Sequence, residues 1–313
     1  MSRRSSLAEC SMTDLNVKVF DIERFAIKDG PGIRSVVFMQ GCPLHCPWCS
    51  NPESQPFTSV LRYLGSKCLH CGACAAVCPQ SAVTLEGGSV RIDRSSCMLC
   101  GACVENCQGA ALKITPKMMS VREVVDVVLR DKDYYEHSGG GVTFSGGEAL
   151  SQPEALLAML ESCREHGVHT AVETTADAPF EVISRMEPFT DLFLIDIKHT
   201  DGARLRQVTG ASAELIFSNI EALSRSCSRK IRLRMPCIPG FNMEREHFMK
   251  AFDFAGKNGI TGIDLLPYHA LGAGKYRQLG LDYGYDNTSA PDRMELESYA
   301  AAGISMGLDI RIL

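Results

Sequence analysis

The sequence predicts an α/β fold, a partial (β/α)6-type barrel that carries a small inserted α+β domain. Two observations predict it. Short apolar runs ending in polar residues alternate with amphipathic helix patterns along most of the chain, and a cysteine-rich segment that repeats itself interrupts this rhythm once. At 313 residues, 45% hydrophobic and 22% charged, the chain can bury the core of one large domain, or of one large and one small.

The elements follow in order. MSRRSSLAECSMTD has two arginines but no apolar stretch behind them, and no later run approaches the roughly 18 uncharged apolar residues of a membrane span. Residues 1–15 are therefore expected to be a flexible tail on a cytoplasmic protein with no membrane partner. A formal charge of −5 and a pI near 5.9 argue against a surface built for phosphate backbone or anionic lipid, so no nucleic-acid partner is expected, and a monomer is. VVFMQGC (36–42), VTFSGGE (142–148), VHTAVETT (168–175), DLFLIDIK (191–198), KIRLRMP (230–236) and GIDLLPY (262–268) read as buried strands. Between them SVREVVDVVLRDKDYY puts apolar positions 121, 124, 125 and 128 on one helix face, and PEALLAMLESCREHG, PFEVISRME and EREHFMKAFDFAGKNG supply later helices. Strands alternating with helices imply parallel pairing through right-handed crossovers. The barrel is assigned to 16–63 and 116–313, and the insert to 64–115.

Fifteen cysteines in a chain of this length, most of them tightly grouped, point to metal ligation over a disulfide scaffold. CLHCGACAAVCP from Cys68 is matched by CMLCGACVENCQ from Cys97, each followed by a strand-like stretch, AVTLEGG and ALKITP. Cys-x2-Cys-x2-Cys-x3-Cys, twice, is the bacterial two-cluster ferredoxin spacing, in which three cysteines of one run and the fourth of the other hold each 4Fe-4S cluster. Cys68, Cys71, Cys74 and Cys107 are assigned to one cluster, and Cys78, Cys97, Cys100 and Cys103 to the other. Gly72 and Gly101, followed by Ala73 and Ala102, leave room for the backbone to wrap inorganic sulfide. Zinc is the structural alternative, though zinc sites seldom pack four cysteines so closely, twice. Cys10, Cys163, Cys227 and Cys237 read as buried or tail thiols without a role.

GCPLHCPWCSN (41–51) poses a separate problem, three close cysteines with no fourth nearby. A 4Fe-4S cluster on three thiolates has one iron without a protein ligand, which an amino nitrogen and a carboxylate oxygen would suit. In a parallel barrel function gathers at the C-terminal strand ends. The cysteine loop follows the first strand and SGGE the second; Glu173 and Thr174 end the third, Asp196 and Lys198 the fourth, Arg234 the fifth and His269 the sixth. A polar residue at one strand end is commonly just satisfied locally. Six in succession point to a site.

Cys42, Cys46 and Cys49, with Trp48 before the third, resemble the Cys-x3-Cys-x2-Cys signature of the radical S-adenosylmethionine (radical SAM) superfamily. KDGPGIRSVVFMQGCPLHCPWCSNPES, GGGVTFSGGE, DIKH and LLPYHALGAGKY look like the activating enzymes of glycyl radical enzymes, from about residue 17 to the C-terminus. The insert is similar to that of activases for anaerobic lyases, dehydratases and arylacetate decarboxylases, such as those of choline trimethylamine-lyase, isethionate sulfite-lyase and glycerol or propanediol dehydratase. Pyruvate formate-lyase activase lacks it. The resemblance implies a radical SAM barrel, three 4Fe-4S clusters, S-adenosylmethionine and an oxidoreductase that abstracts hydrogen from a glycine of a partner glycyl radical enzyme. Reduced flavodoxin or ferredoxin would be the electron donor, with the inserted clusters as a relay or as a structural or docking unit.

The resemblance also implies site residues. Cys42, Cys46 and Cys49 would hold the open cluster, with Trp48, Cys49 and Ser50 along the adenine. Gly146 and Gly147, beside Glu148, would let backbone approach the amino group, and Arg234, in R-x4-PG, would hold the carboxylate. His269 would lie at the ribose or adenine. Asp196, Ile197 and Lys198 join the cofactor-binding set with Glu173, near the sulfonium, where a carboxylate can hold a monovalent cation. Lys198 and Asp29 are expected to be catalytic, Asp29 by meeting the incoming glycyl loop. Two positions depart from the family pattern. Ala149 stands where proline is common, and Ala176 where glycine is, which would strain the alanine if that backbone needs positive φ. Two alternatives stand beside this reading: a radical SAM enzyme acting directly on a small molecule, and a multi-cluster electron-transfer protein, which would have no use for SGGE, Arg234 or His269.

Overall fold

Strands covered on both faces carry little polar alternation, and most of the six runs named above have that character, KIRLRMP with its two arginines excepted. In the computed structural model, which describes residues 15–285 and 290–313, they form the parallel part of a nine-stranded sheet. The tail expected over 1–15, with Cys10, lies outside the described residues except for Leu15.

β1 (Asn16–Ala26) pairs antiparallel with β2 (Arg34–Met39). The insert contributes β3 (Val60–Tyr63), β4 (Val83–Glu86), β5 (Ser89–Ile92) and β6 (Leu112–Thr115), and β7 (Lys117–Ser120) returns to the outer edge of β1. β8 (Gly141–Gly146) adds in parallel beside β2, and β9 (His169–Thr174), β10 (Leu192–Asp196), β11 (Ile231–Cys237), β12 (Gly262–Pro267) and β13 (Asp309–Ile312) follow in parallel, each beside the one before. The order β13-β12-β11-β10-β9-β8-β2-β1-β7 leaves the sheet open, with β13 and β7 as its edges. β2 and β8 are buried almost throughout, whereas β1 alternates buried and accessible positions because one of its faces meets solvent.

The helix at Val121–Leu129 buries Val121, Val124, Val125 and Val128, the face expected from the sequence. A reciprocal capping box starts it: the Glu123 N–H donates to Ser120 Oγ, and the Ser120 N–H donates to Glu123 Oε2 at 2.7 Å. It does not continue through Tyr135 as the pattern suggested. The chain turns at Asp131, whose buried carboxylate accepts hydrogen bonds from Arg24 of β1 and from Ser35 of β2, and a second helix spans Lys132–Ser138. Tying two strands outweighs continuing one helix.

The insert repeats in space as it does in sequence. His70 and Leu99 take φ of 54° and 56°, Gly72 and Gly101 take 74° and 87°, and Ser81 and Ala110 take 50° and 49°. Helical turns at Ala73–Ala76 and Ala102–Glu105 occupy matching places. A small core of Leu61, Val83, Val90 and Leu112 joins the halves, and β3 pairs antiparallel with β6. That stem begins at Val60, before the boundary expected at residue 64.

Just past β9, Ala176 sits at φ 57°, buried, in the left-handed region that its substitution for glycine made a concern. That conformation costs an alanine about 1–2 kcal/mol. Asn219, itself buried, holds it by donating from Nδ2 to the carbonyls of Ala176 (2.9 Å) and Ala178 (2.7 Å), while the Ala176 N–H donates to Thr174 Oγ1 at 2.9 Å. Asn219→Ala leaves these carbonyls without that donor and is expected to cost about 3 kcal/mol. Anaerobic denaturant titration should show a lower midpoint at unchanged slope; a loss below about 1 kcal/mol would refute the clamp.

Candidate active site

The cysteine loop leaves β2 stitched on both sides. The Gln40 amide donates to the carbonyls of Glu53 (2.8 Å) and Pro56 (2.7 Å). The Gly41 N–H reaches Ser54 O, the Cys42 N–H reaches Gln55 O, and the His45 N–H reaches Thr209 O. Trp48 packs against Phe241, ring centres 4.5 Å apart, and stands edge-on to Tyr285. Gly146 and Gly147 serve this loop directly. A Cβ at Gly146 would lie 2.1 Å from Met39 N, and one at Gly147 2.5 Å from Gly41 O. With glycine at both positions the Gly147 N–H can donate to Met39 O and the Glu148 N–H to Gly41 O, each at 2.8 Å.

Glu148, which lines the barrel cavity, has its carboxylate engaged by the chain's own groups. Its buried carboxylate accepts from Thr174 Oγ1 (2.6 Å), Thr175 Oγ1 (2.7 Å), Thr175 N (2.8 Å) and Leu150 N (3.1 Å), which fixes the end of β9 against the end of β8.

A layer of paired charges crosses the barrel interior. Arg234 Nη1 donates to Glu173 Oε1 at 2.5 Å and lies 3.8 Å from Asp29, while Nη2 reaches Lys28 O. Ser145 Oγ donates to the other Glu173 oxygen at 2.5 Å. Lys198 Nζ donates to Asp196 Oδ2 at 2.6 Å. Burial pushes the Glu173 carboxyl up, against the pull of Arg234. Burial pulls Lys198 down, but Asp196 and the Cys46 and Cys42 sulfurs outweigh it and hold the ammonium above its ordinary value. Burial also pushes the Cys46 thiol up to about 12, so a thiolate here is stable only against positive charge, part of which Lys198 supplies.

Asp29 reaches this layer because its loop is anchored within the barrel. Arg34, fully buried, donates from Nε to Thr143 Oγ1 (2.7 Å) and from Nη1 to Pro31 O (3.2 Å), and Thr143 Oγ1 donates on to Asp29 O at 2.6 Å. Burial brings the Arg34 guanidinium down to about 10.

One cavity of about 360 Å³ is lined by Asp29, Cys42, Cys46, Trp48, Cys49, Ser50, Gly146, Gly147, Glu148, Glu173, Asp196, Lys198, Arg234 and His269. Ile197 is not among them. Its side chain is in the core and only its N–H is directed across the sheet, to Arg234 O, because strand alternation turns it from the neighbours Asp196 and Lys198. Sequence reasoning missed Ser145, Thr175 and Arg34. A cation opening an otherwise apolar strand was the available signal for Arg34. In the insert, Cys78, Cys97, Cys100 and Cys103 line one cavity, and Cys68, Cys71, Cys74 and Cys107 line another.

The Radical SAM superfamily profile matches residues 36–252. The chain is 39% identical over 297 residues to the choline trimethylamine-lyase activating enzyme of Oleidesulfovibrio alaskensis, covering 93% of this chain and 96% of that one. It is 39% identical over 286 residues to the trans-4-hydroxy-L-proline dehydratase activating enzyme of Clostridioides difficile (90% and 94% covered). It is 38% identical over 304 residues to the benzylsuccinate synthase activating enzyme of Thauera aromatica (94% and 92% covered). A solved radical SAM methyltransferase from Sphaerobacter thermophilus matches with a TM-score of 0.53 over 99% of this chain and 82% of that one. At 11% identity that likeness concerns the fold alone. The chain belongs to the radical SAM superfamily and, within it, to the activating enzymes of glycyl radical enzymes.

Proposed function

We propose that this chain activates a glycyl radical lyase or dehydratase by means of S-adenosylmethionine and a 4Fe-4S cluster on Cys42, Cys46 and Cys49. One observation carries the reading: a single cavity gathers the three loop cysteines beside paired charges, in a chain that matches activating enzymes over about nine-tenths of its length. When bound, the cluster and S-adenosylmethionine supply a 5′-deoxyadenosyl radical, which takes a hydrogen atom from a glycine α-carbon of the partner.

The residues fit such a guest. Among the described residues, Asp196 Oδ1 and Arg234 Nε are buried without hydrogen-bond partners, an arrangement that costs about 1–3 kcal/mol each unless a ligand meets them. The amino-acid end of S-adenosylmethionine carries an ammonium for the one and a carboxylate for the other. Glu173 already engages Arg234 Nη1 and would fix the direction in which Nε points. Trp48 and Ser50 would border the adenine, His269 at the exposed rim would border the ribose or adenine, and a monovalent cation near Glu173 and Asp196 would ease their mutual repulsion. The surrounding core keeps water from a reactive centre, and Asp29 and Lys198 would meet the incoming glycine loop.

The two four-cysteine cavities support 4Fe-4S sites of a ferredoxin-like unit, three clusters in all, charged by reduced flavodoxin or ferredoxin. The cysteines of the two runs sort into the crossed sets that this spacing requires. Relatives named for choline, sulfopropanediol and hydroxyproline enzymes are 39–40% identical to the chain, so similarity favours the class of partner over any one member.

Changing Cys42, Cys46 or Cys49 to Ala should lower the iron of anaerobically reconstituted protein by about one third and abolish reductive cleavage of S-adenosylmethionine. Cleavage persisting in all three variants would overturn the cluster assignment. With a cognate partner deuterated at the glycine α-carbon, mass spectrometry should find deuterium in 5′-deoxyadenosine, and the partner should carry a radical signal without the splitting of the remaining α-hydrogen. Cleavage that proceeds with the partner present but transfers no deuterium would favour a small-molecule substrate.

A further inference from the structure

The internal repeat contains its own control. Arg94, three residues before Cys97, corresponds to Gly65, three residues before Cys68. Gly65 has no side chain to reach outward, and a Cβ there would have the Tyr63 ring as its nearest neighbour. Arg94 instead donates from Nη1 to Leu61 O in β3 (2.8 Å) and reaches beyond the insert from Nη2 to Gln278 O (3.3 Å). Leu61 lines the cavity of Cys78, Cys97, Cys100 and Cys103, whereas Tyr63 lines the other. The two sites are therefore not equivalent toward the barrel.

From Leu61 the contacts run on to the catalytic loop. The neighbouring Arg62 donates from Nη2 to Gln278 Oε1 at 2.6 Å, and its Nη1 pairs with Glu53 Oε1 at 3.2 Å. Glu53 is almost fully buried and also receives Lys275 Nζ at 3.3 Å. Lys275 donates to Asn51 Oδ1 at 2.5 Å, and the Asn51 N–H donates to Cys49 Sγ at 3.4 Å. Polar contacts, continued through the Leu61–Arg62 peptide and through Gln278, thus join the segment before Cys97 to the sulfur of a catalytic cysteine. They use Glu53 of the CSNPES stretch and Lys275 of the LLPYHALGAGKY stretch, neither of which has a place in the cavity.

We propose that the Cys78, Cys97, Cys100 and Cys103 site is the inner of the two, and that it passes electrons to the Cys49 side of the catalytic loop across the Arg94–Arg62–Glu53–Lys275–Asn51 bridge. The Cys68, Cys71, Cys74 and Cys107 site stands on the outer side, toward a reduced flavodoxin- or ferredoxin-type donor. One electron leaves that donor, each station is reduced and then reoxidised as it passes, and the catalytic site ends one electron richer with no bond or proton moved. The inference rests on the reading of both insert cavities as cluster sites.

Electron paramagnetic resonance of the reduced whole protein tests it without relying on turnover. The catalytic signal, identified by its change on adding S-adenosylmethionine, should relax faster beside a reduced neighbour. This acceleration should be lost in Cys97→Ala and Cys100→Ala and kept in Cys71→Ala. Arg94→Ala, which removes no ligand, should retain all iron yet slow donor-driven reduction of the catalytic site severalfold, with Arg94→Lys restoring part of the rate. Acceleration lost in Cys71→Ala but kept in Cys100→Ala, or Arg94→Ala reduced at the wild-type rate, would overturn the inference. Iron analysis distinguishes the two levels: wild-type protein that binds a single cluster sinks the reading of the insert, whereas three clusters with the wrong relaxation pattern sink only the inner assignment.

Discussion

The approach of β8 to the end of β2 is the contact on which the site depends. No side chain fits at Gly146 or Gly147, and the hydrogen bonds made possible there set where the cysteine loop begins. The constraint then passes along the barrel rim. The Glu148 N–H holds Gly41, and its carboxylate holds Thr174 and Thr175, so three successive strand ends are fixed by one short stretch of backbone. Each such bond contributes about 1 kcal/mol, somewhat more where the acceptor is charged. Their joint effect is positional, because catalysis of this kind relies on groups held before the substrate arrives.

Behind that rim the charges are arranged to survive burial. Isolated, Glu173, Arg234, Asp196 or Lys198 would be costly inside the barrel; as two ion pairs, with Ser145 and Lys28 O filling further hydrogen-bonding positions, they are tolerated. Among the described residues the pairing of these four groups remains incomplete at Asp196 Oδ1 and Arg234 Nε, and both belong to residues lining the cavity. Buried polar groups left unpartnered call for an explanation, and at these two atoms the proposed ligand, with its complementary ends, would supply one.

Much of this was legible in the sequence for identifiable reasons. β2 and β8 to β12 declare themselves because strands buried on both faces are continuous apolar runs. β1 does not, since Lys18, Asp21, Glu23 and Arg24 interrupt its apolar residues, and β7 and β13 are four-residue edges held by their neighbours. The helix at Ala213–Cys227 escaped notice because serine, asparagine and cysteine blur its apolar face, although it buries Ile216, Ile220 and Leu223. In the site, charged strand ends were visible and the neutral hydroxyls of Ser145 and Thr175 were not, because serine and threonine at a strand end are unremarkable until a carboxylate is seen beside them. Ile197, one residue past β10, has its side chain in the core, so any contact it makes with a guest would come from its backbone. Cysteine spacing revealed the crossed sets; the difference between Gly65 and Arg94 acquired meaning only once Gln278, far along the chain, was seen next to one of them.

The insert's stem closes on itself. Val60 and Thr115 are cross-strand partners, so the chain leaves the barrel and returns to it at nearly one point. A segment attached in this way adds to the barrel without altering how the main sheet is threaded. The same geometry has a cost under oxygen. With its own small core and cysteines such as Cys71 and Cys100 at the surface, the appendage is the part that oxidants meet first, and it can be damaged while the barrel behind it still stands.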